Sequence, residues 1–354
     1  MRSALVLTIA YWVSVAVVVL VVFLMSYILV LRAVLLLRER RYRELVALWR
    51  PILLNSGEHD LDRLPAVKPA DRHSFLILWN MLREEKDADP EIRDWMNRVA
   101  VAVGIDRFAR QLLEKRGVRK KLLAVVTLGQ LRDKSRWDVL CQMAVSEHVL
   151  LSLAAMQAIA RIDPAAATPL LVRMVMSRPG WPAAKVASML KDIGPDLVSE
   201  PLTAAILAAP DEEKQRLIPF LETCSDATAL TAVRRILKEP HDDKVIGPCL
   251  SVLGKFRDKQ DLKLVRQYLS HPRWHVRAHA ATCLGKTGMK EDEEQLVALL
   301  NDAEWWVRYR AAQAIVNMPF SSVERIHELM GALKDRYARD ILTQAVAEKG
   351  LTLP

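Results

Sequence analysis

HPRWHVRAHAATCLG (His271–Gly285) and DAEWWVRYRAAQAIV (Asp302–Val316) align without a gap at an offset of 31. Trp274 falls on Trp305, Val276-Arg277 on Val307-Arg308, Ala280-Ala281 on Ala311-Ala312, and Leu284 on Ile315. A repeat of this length marks stacked supersecondary units, none of which can bury its apolar face alone.

The period runs on well beyond these two copies. Steps of 31, once 32, from Leu284 land on Leu128, Ile159, Leu190, Leu221, Leu253, Ile315 and Val346. Four residues earlier the column reads Ala124, Ala155, Val186, Leu217, Cys249, Ala280, Ala311, Leu342. Three residues earlier it reads Val125, Met156, Ala187, Ile218, Leu250, Ala281, Ala312, Thr343. One apolar helix face is thus written eight times. A preceding helix supplies Leu140, Leu171, Leu202, Val233, Val265 and Leu296, each with an apolar residue four further on. Hydrophobic residues make up 51% of the chain, so one such column would prove little. Five in register make helix–turn–helix pairs.

The two clearest units resemble HEAT repeats, in particular the shorter phycobilisome-lyase-like variety. The resemblance rests on His271-Pro272, Val276-Arg277, Ala280-Ala281, Leu284-Gly285, Asp302, Val307-Arg308 and Ala311-Ala312. From Gly117 to Phe256 the Val-Arg and Ala-Ala pairs are mostly lost while the apolar columns persist. The resemblance implies an all-α fold, a right-handed α-solenoid of about eight helix pairs with each second helix lining the concave side. It does not imply lyase activity, because function resides in sites carried on such a scaffold.

Ala4–Leu31 is an uncharged apolar run. As a helix of 1.5 Å per residue it would exceed the roughly 30 Å hydrocarbon core of a bilayer. Its length and the missing small-residue cleavage site argue for one transmembrane span over a signal peptide. Only Arg2 precedes the run, whereas Arg32, Arg38, Arg40, Arg41 and Arg43 come after it. That asymmetry predicts a single-pass inner-membrane protein, if the source is bacterial, with its C-terminal domain cytoplasmic. The expected organisation is an anchor over residues 1–37. A juxtamembrane helix, linker and irregular cap occupy 38–104, and the repeats fill 105–354. Within the middle segment, Asn55–Asp71 reads as a linker, and Arg72–Lys86 and Pro90–Val103 as cap helices.

The net charge of +9 concentrates at the juxtamembrane arginines and between Arg107 and Arg136. There ten cations, Arg119, Lys120 and Lys121 among them, face only Glu114 and Asp133. Closeness to the anchor favours an anionic lipid surface over nucleic acid as the reason for Arg38, Arg40, Arg41, Arg43, Arg119, Lys120 and Lys121.

Helix geometry separates packing positions from free ones. With the Leu284 column as zero and 100° per residue, positions −2, −5 and −9 lie opposite the apolar face. Position −9 offers Arg119, Trp181, Glu212, Lys244, His275, Trp306 and Tyr337, and position −5 offers Lys185, Arg216, His279 and Arg310. Aromatic residues alternating with cations suit a protein interface. The candidate protein-binding residues are therefore Trp181, Lys185, Arg216, His275, His279, Trp306, Arg310 and Tyr337. Arg277, Arg308 and Arg339 at −7 should point into the stack and bond neighbouring repeats. Asp302, Asp211-Glu212-Glu213 and Glu291–Glu294 read as helix-start residues.

Chemistry has few footholds here. His275, His279 and Cys283 recur at metal-ligand spacing, but eight helical residues rise about 12 Å, too far for one ion. No phosphate-loop, dinucleotide, nucleophile-elbow, H-E-x-x-H or C-x-x-C motif occurs. Cys141, Cys224, Cys249 and Cys283 show no paired spacing, as expected of reduced thiols. The sequence therefore predicts no enzyme and no cofactor. It predicts a membrane-anchored scaffold whose partner is another membrane protein, such as a membrane enzyme or an envelope polysaccharide export component. A nucleic-acid- or lipid-binding solenoid is the alternative, and a lyase-type enzyme a further one. Glu212, Leu150, Pro219 and Pro248 on the free columns interrupt the basic track that nucleic acid needs.

Overall fold

The computed structural model describes residues 2–55, 60–85 and 89–351, and the described residues form helices, turns and no strand. Gly57 of the expected linker and Lys86 of the first cap helix lie outside them. The chain divides into two compact units, residues 1–158 and residues 159–354.

The first unit begins with α1 (Arg2–Leu54), a single 53-residue helix. Pro51, its sole proline, lies in the final turn, so nothing interrupts the hydrogen-bond ladder earlier. Every residue from Val19 to Arg41 is exposed, and this helix is long and apolar enough to cross a membrane. Its last turns behave differently. Leu45, Trp49, Ile52 and Leu53 are buried, and Trp49 meets Phe75 edge-to-face at 4.7 Å between ring centroids. Helix α1 packs against α2 (Arg72–Glu85) and α3 (Pro90–Ala102). Trp95 Nε1 donates to the Ile52 carbonyl at 2.7 Å, and Trp79 Nε1 donates to Met96 O at 3.0 Å. Asp89 caps α3 by accepting from Glu91 N and Ile92 N, with Pro90 at its first position.

Helices α4 (Ile105–Glu114) and α5 (Val118–Gln130) form the first regular pair. Asn80 Nδ2 donates to Thr127 Oγ1 at 2.8 Å, joining α2 to α5 inside the core. The unit continues through α6 (Trp137–Ala144) and most of α7 (Val149–Ile162).

The second unit is a run of further pairs. They are α8 (Pro164–Ser177) with α9 (Ala183–Ile193), and α10 (Pro195–Ala208) with α11 (Asp211–Leu217). Next come α12 (Asp226–Lys238) with α13 (Asp243–Phe256), and α14 (Leu262–Gln267) with α15 (Trp274–Thr287). The last are α16 (Glu293–Ala298) with α17 (Trp305–Asn317), and α18 (Val323–Ala332) with α19 (Arg336–Glu348). Helix α11 ends early because Pro219 tightens the next segment, Ile218–Thr223, into a 3-10 turn.

The repeat columns are the core. Leu128, Ile159, Leu190, Leu221, Leu253, Leu284, Ile315 and Val346 are all buried, as are all eight residues four positions earlier. Of the third column only Ala187, half-buried, and Thr343, exposed, depart. Glycines set the approach of successive second helices. A Cβ on Gly285 would lie 2.6 Å from Ala314 Cα, and one on Gly129 would lie 2.7 Å from Ala158 Cα.

Ion pairs stitch one repeat to the next. Arg234 donates to Asp261 and Asp258 at 2.6 Å each, and Arg266 Nε to Asp292 Oδ1 at 2.5 Å. Arg277 spans to Asp302, and Arg308 Nη1 donates to the Asp302 and Ala303 carbonyls. Arg277 thus bonds the next repeat as expected, whereas Arg308 bonds the carbonyls of the turn that opens its own helix. Arg339 departs from the inward reading, lying exposed on α19.

Candidate functional site

The free columns of three successive second helices converge on one groove of about 730 Å3 in the second unit. Gln215 and Pro219 come from α11 and the turn after it. Lys244, Gly247, Pro248 and Ser251 come from α13, and Trp274, His275 and His279 from α15. Its size lies within the range of ligand-binding clefts.

Local sequence explains the shape. Gly247 has no Cβ, and the His279 ring occupies that space, with its Cδ2 2.8 Å from where a Cβ would sit. His279 Nδ1 faces Ser251 Oγ at 3.2 Å. Trp274 is 41% exposed and meets the His275 ring edge-to-face at 5.8 Å. Burial, then the neighbouring His275 and Arg310, push the His279 pKa below its ordinary value, favouring the neutral ring. His275 Nε2 is covered and has no hydrogen-bond partner among the described residues.

The two prolines matter for a different reason. A proline inside a helix cannot donate to the carbonyl four residues back. Pro248 therefore leaves the Lys244 carbonyl without its usual helical donor, and Pro219 does the same for Gln215. Both carbonyls belong to groove residues.

Beside the groove, α17 carries an exposed aromatic cluster. Trp305 stacks on Tyr309 at 5.1 Å, Trp306 meets Trp305 edge-to-face at 4.8 Å, and the Arg310 guanidinium lies 5.8 Å from the Tyr309 centroid. Tyr309 Oη donates to Glu348 Oε2 at 2.7 Å. Trp306 is 49% exposed, and Tyr337 on α19 is 73% exposed.

The sequence-derived set is thus divided. His275 and His279 share the groove, Trp306 and Arg310 share the aromatic cluster, and Lys185 and Tyr337 stand exposed on α9 and α19. Two expectations of a free side chain are corrected. Trp181 is only 6% exposed, because it precedes α9 in the turn Arg178–Pro182 and folds under it into the core. Arg216 donates to the Val175 and Met176 carbonyls at 2.9 and 3.0 Å, satisfying the end of α8. Lys244 occupies the −9 column without standing out there, and Trp274 at −10 is legible in sequence only as a repeat marker. The signal that sequence reasoning missed is the glycine and prolines of α13 and its neighbour.

In the first unit the basic cluster is less open than its sequence suggests. Arg110 pairs with Asp133 at 2.7 Å and with Asp106 at 3.3 Å, an acid outside the expected set. Arg136 reaches Glu114 at 3.3 Å. Arg119 and Lys120 are exposed and Lys121 half-buried in the first turn of α5. Cations there oppose the helix dipole, each costing roughly 0.3–1 kcal/mol. On α1, Arg40 pairs with Glu44 and Arg43 with Glu39, both at 3.1 Å, while Arg38 and Arg41 are exposed.

All four cysteines are free. Burial raises the thiol pKa of Cys249 and Cys283 to about 12, and raises Cys141 and Cys224 as well, opposite to the shift a reactive cysteine needs.

Comparison with known proteins agrees with the repeat reading. Residues 231–316 match the family described as HEAT repeats, which takes in the groove's α13 and α15 and the aromatic α17. Among solved structures, an engineered protein is similar at 16% identity over 81% of this chain and 93% of its own, with a TM-score of 0.35. No curated protein matches.

Proposed function

We propose that this protein is a membrane-anchored scaffold that holds a cytoplasmic segment of another membrane protein in the groove between α11 and α15. The observation that carries this reading is the convergence of free columns from three successive repeats on one cleft that no packing requirement explains. In this reading residues 1–37 are the anchor, 38–104 the juxtamembrane helix and cap, and 105–354 the repeats. Arg38, Arg40, Arg41 and Arg43 hold the C-terminal side in the cytoplasm of a cell whose inner membrane carries the span. Because α1 runs unbroken from its apolar part into buried contacts with α2 and α3, the first unit is held close to the bilayer, and anchoring raises its effective concentration for membrane clients. The client class is a membrane enzyme or an envelope polysaccharide export component.

The test is site-specific photocrosslinking in intact membranes, with the probe at Ser251 in the groove or at Lys263 on the exposed side of α14. One discrete membrane protein captured from Ser251, lost with Trp274→Ala and absent from Lys263, is the expected result. Equal capture from both positions would sink the reading.

A second reading, contact of Arg119, Lys120 and Lys121 with anionic lipid, is favoured by their placement against the α5 dipole. Helix stability does not account for that placement. Reversing all three charges should weaken sedimentation of detergent-free repeat domain with phosphatidylserine vesicles, and unchanged sedimentation would remove this reading.

A further inference from the structure

The groove's lining has a one-sided chemistry. Lys244 is its formal charge, His275 and His279 add ring nitrogens, and no carboxylate among the described residues lines it. The nearest acid in sequence, Asp243, is engaged by Arg273 at 3.1 Å and His271 at 3.6 Å. Helices α13 and α15 both begin at the groove, and α15 starts without a side-chain cap. Asp242, which accepts from Lys244 N, and Asp243 offset the α13 dipole, so it is the uncapped α15 N-terminus that adds to the positive potential. Arg310 lies close enough to disfavour a charge on His279. All of this favours an anion.

The main chain is complementary in the opposite sense. The Lys244 and Gln215 carbonyls lose their i+4 helical N–H donors to Pro248 and Pro219, which leaves acceptor capacity on two groove residues. A nucleic acid has no regular row of such donors, and one lysine is far short of the phosphate contacts that binding it requires. A polypeptide in extended conformation has both components, main-chain N–H and acidic side chains. Crossing three elements spaced roughly 8–10 Å apart takes about 16–20 Å, or five to six residues at about 3.3 Å each.

We propose that the groove binds an extended acidic segment of five or six residues. Its main-chain N–H groups donate to the carbonyls of Gln215 and Lys244, and one of its carboxylates faces Lys244 Nζ. This deepens the scaffold reading, on which it rests for the source of the segment. The rim indole of Trp274 covers an apolar side chain of the same segment, and Gln215 and Ser251 supply side-chain hydrogen bonds.

The experiment uses full-length protein in nanodiscs and fluorescence anisotropy with a labelled, end-capped hexapeptide of alternating glutamate and leucine. The glutamate probe should bind, and its lysine counterpart should not. Lys244→Glu should weaken binding more than tenfold, whereas Lys263→Glu, the same charge change on α14, should leave it unchanged. Pro248→Ala, which restores a helical donor to the Lys244 carbonyl, should weaken binding about three- to tenfold without harming the fold. A probe with N-methylated amides should lose the same factor and be indifferent to Pro248→Ala. Equal binding of both charges, equal effects of the two lysine reversals, or full binding of the N-methylated probe would each overturn the proposal. Displacement of the glutamate probe by an oligothymidylate would overturn it in favour of nucleic acid. A Ser251 crosslink to a partner that the glutamate probe fails to displace would overturn this inference while leaving the scaffold reading intact.

Discussion

Arg277 and Asp302 are joined by two parallel hydrogen bonds, Nε to Oδ2 and Nη2 to Oδ1, each 2.7 Å long. The pair ties α15 to the turn that launches α17, and Arg277 Nη1 also donates to the His271 and Pro272 carbonyls. One side chain thus closes its own repeat and grips the next. Both side chains are largely buried, at 14% and 8% exposed. Removing one partner leaves the other charge without compensation. Asp302→Ala should therefore cost about 2–3 kcal/mol in urea unfolding, and Arg277→Met with Asp302→Leu should cost less than the two single losses added together. A double-mutant cycle that closes without coupling would show the bridge to be incidental.

The same pair predicts acid sensitivity. Burial opposes ionisation of Asp302, yet hydrogen bonds from Arg277 and Glu304 N outweigh it and hold the carboxyl below its ordinary range. Asp133 is held down in the same way by Ser135 and Arg110, and Asp211 by Asp242 N and His241. A carboxyl depressed in the folded state contributes stability above its unfolded pKa of about 3.9. That contribution is lost as pH falls through the folded value. Denaturant midpoints measured between pH 7 and pH 2.5 should fall most steeply below about pH 4. Asp302→Asn should flatten part of that fall, and an unchanged slope would count against the assignment.

Gly285 tests whether helix propensity or packing governs the stack. Alanine is worth about 1 kcal/mol more than glycine in an exposed helix interior. Here an added Cβ would meet Ala314 Cα at 2.6 Å and Cβ at 2.7 Å, so α15 and α17 would have to separate. Overpacking of this kind typically costs about 1–3 kcal/mol, and Gly285→Ala should lower the melting temperature despite its better propensity. Pairing it with Ala314→Gly should recover part of the loss. A rise in melting temperature for Gly285→Ala alone would mean the two helices pack more loosely than the structure shows.

The fold was legible in the sequence because burial repeats and rotamers do not matter to it. Leu128 through Val346 are buried wherever the 31-residue step placed them, since one packing environment recurs at every repeat. The candidate site was less legible because it depends on what the period omits. Angular position correctly put His275 and His279 on the free side, but it treats the helix as a cylinder in isolation. Arg216 is long enough to bend back to the α8 carbonyls, and Trp181 sits before α9, where the helical angle no longer applies. Lys244 and Pro248 acquire meaning only once Gly247 brings His279 against α13.

The two tryptophans of the −9 column should respond differently to truncation. Trp181 is buried, so Trp181→Ala should leave a cavity and cost about 3–5 kcal/mol of stability. Any loss of partner binding would then come from unfolding. Trp306 is half-exposed and packs through Trp305 and Tyr309 on its own helix. Trp306→Ala should shift stability by less than about 1 kcal/mol, the scale of one aromatic pair, and should affect partner capture without moving the melting temperature. Circular dichroism melts run beside the Ser251 crosslinking assay separate the two. A Trp306 variant that melts early would return this residue to the core, and a Trp181 variant that melts normally would contradict its burial.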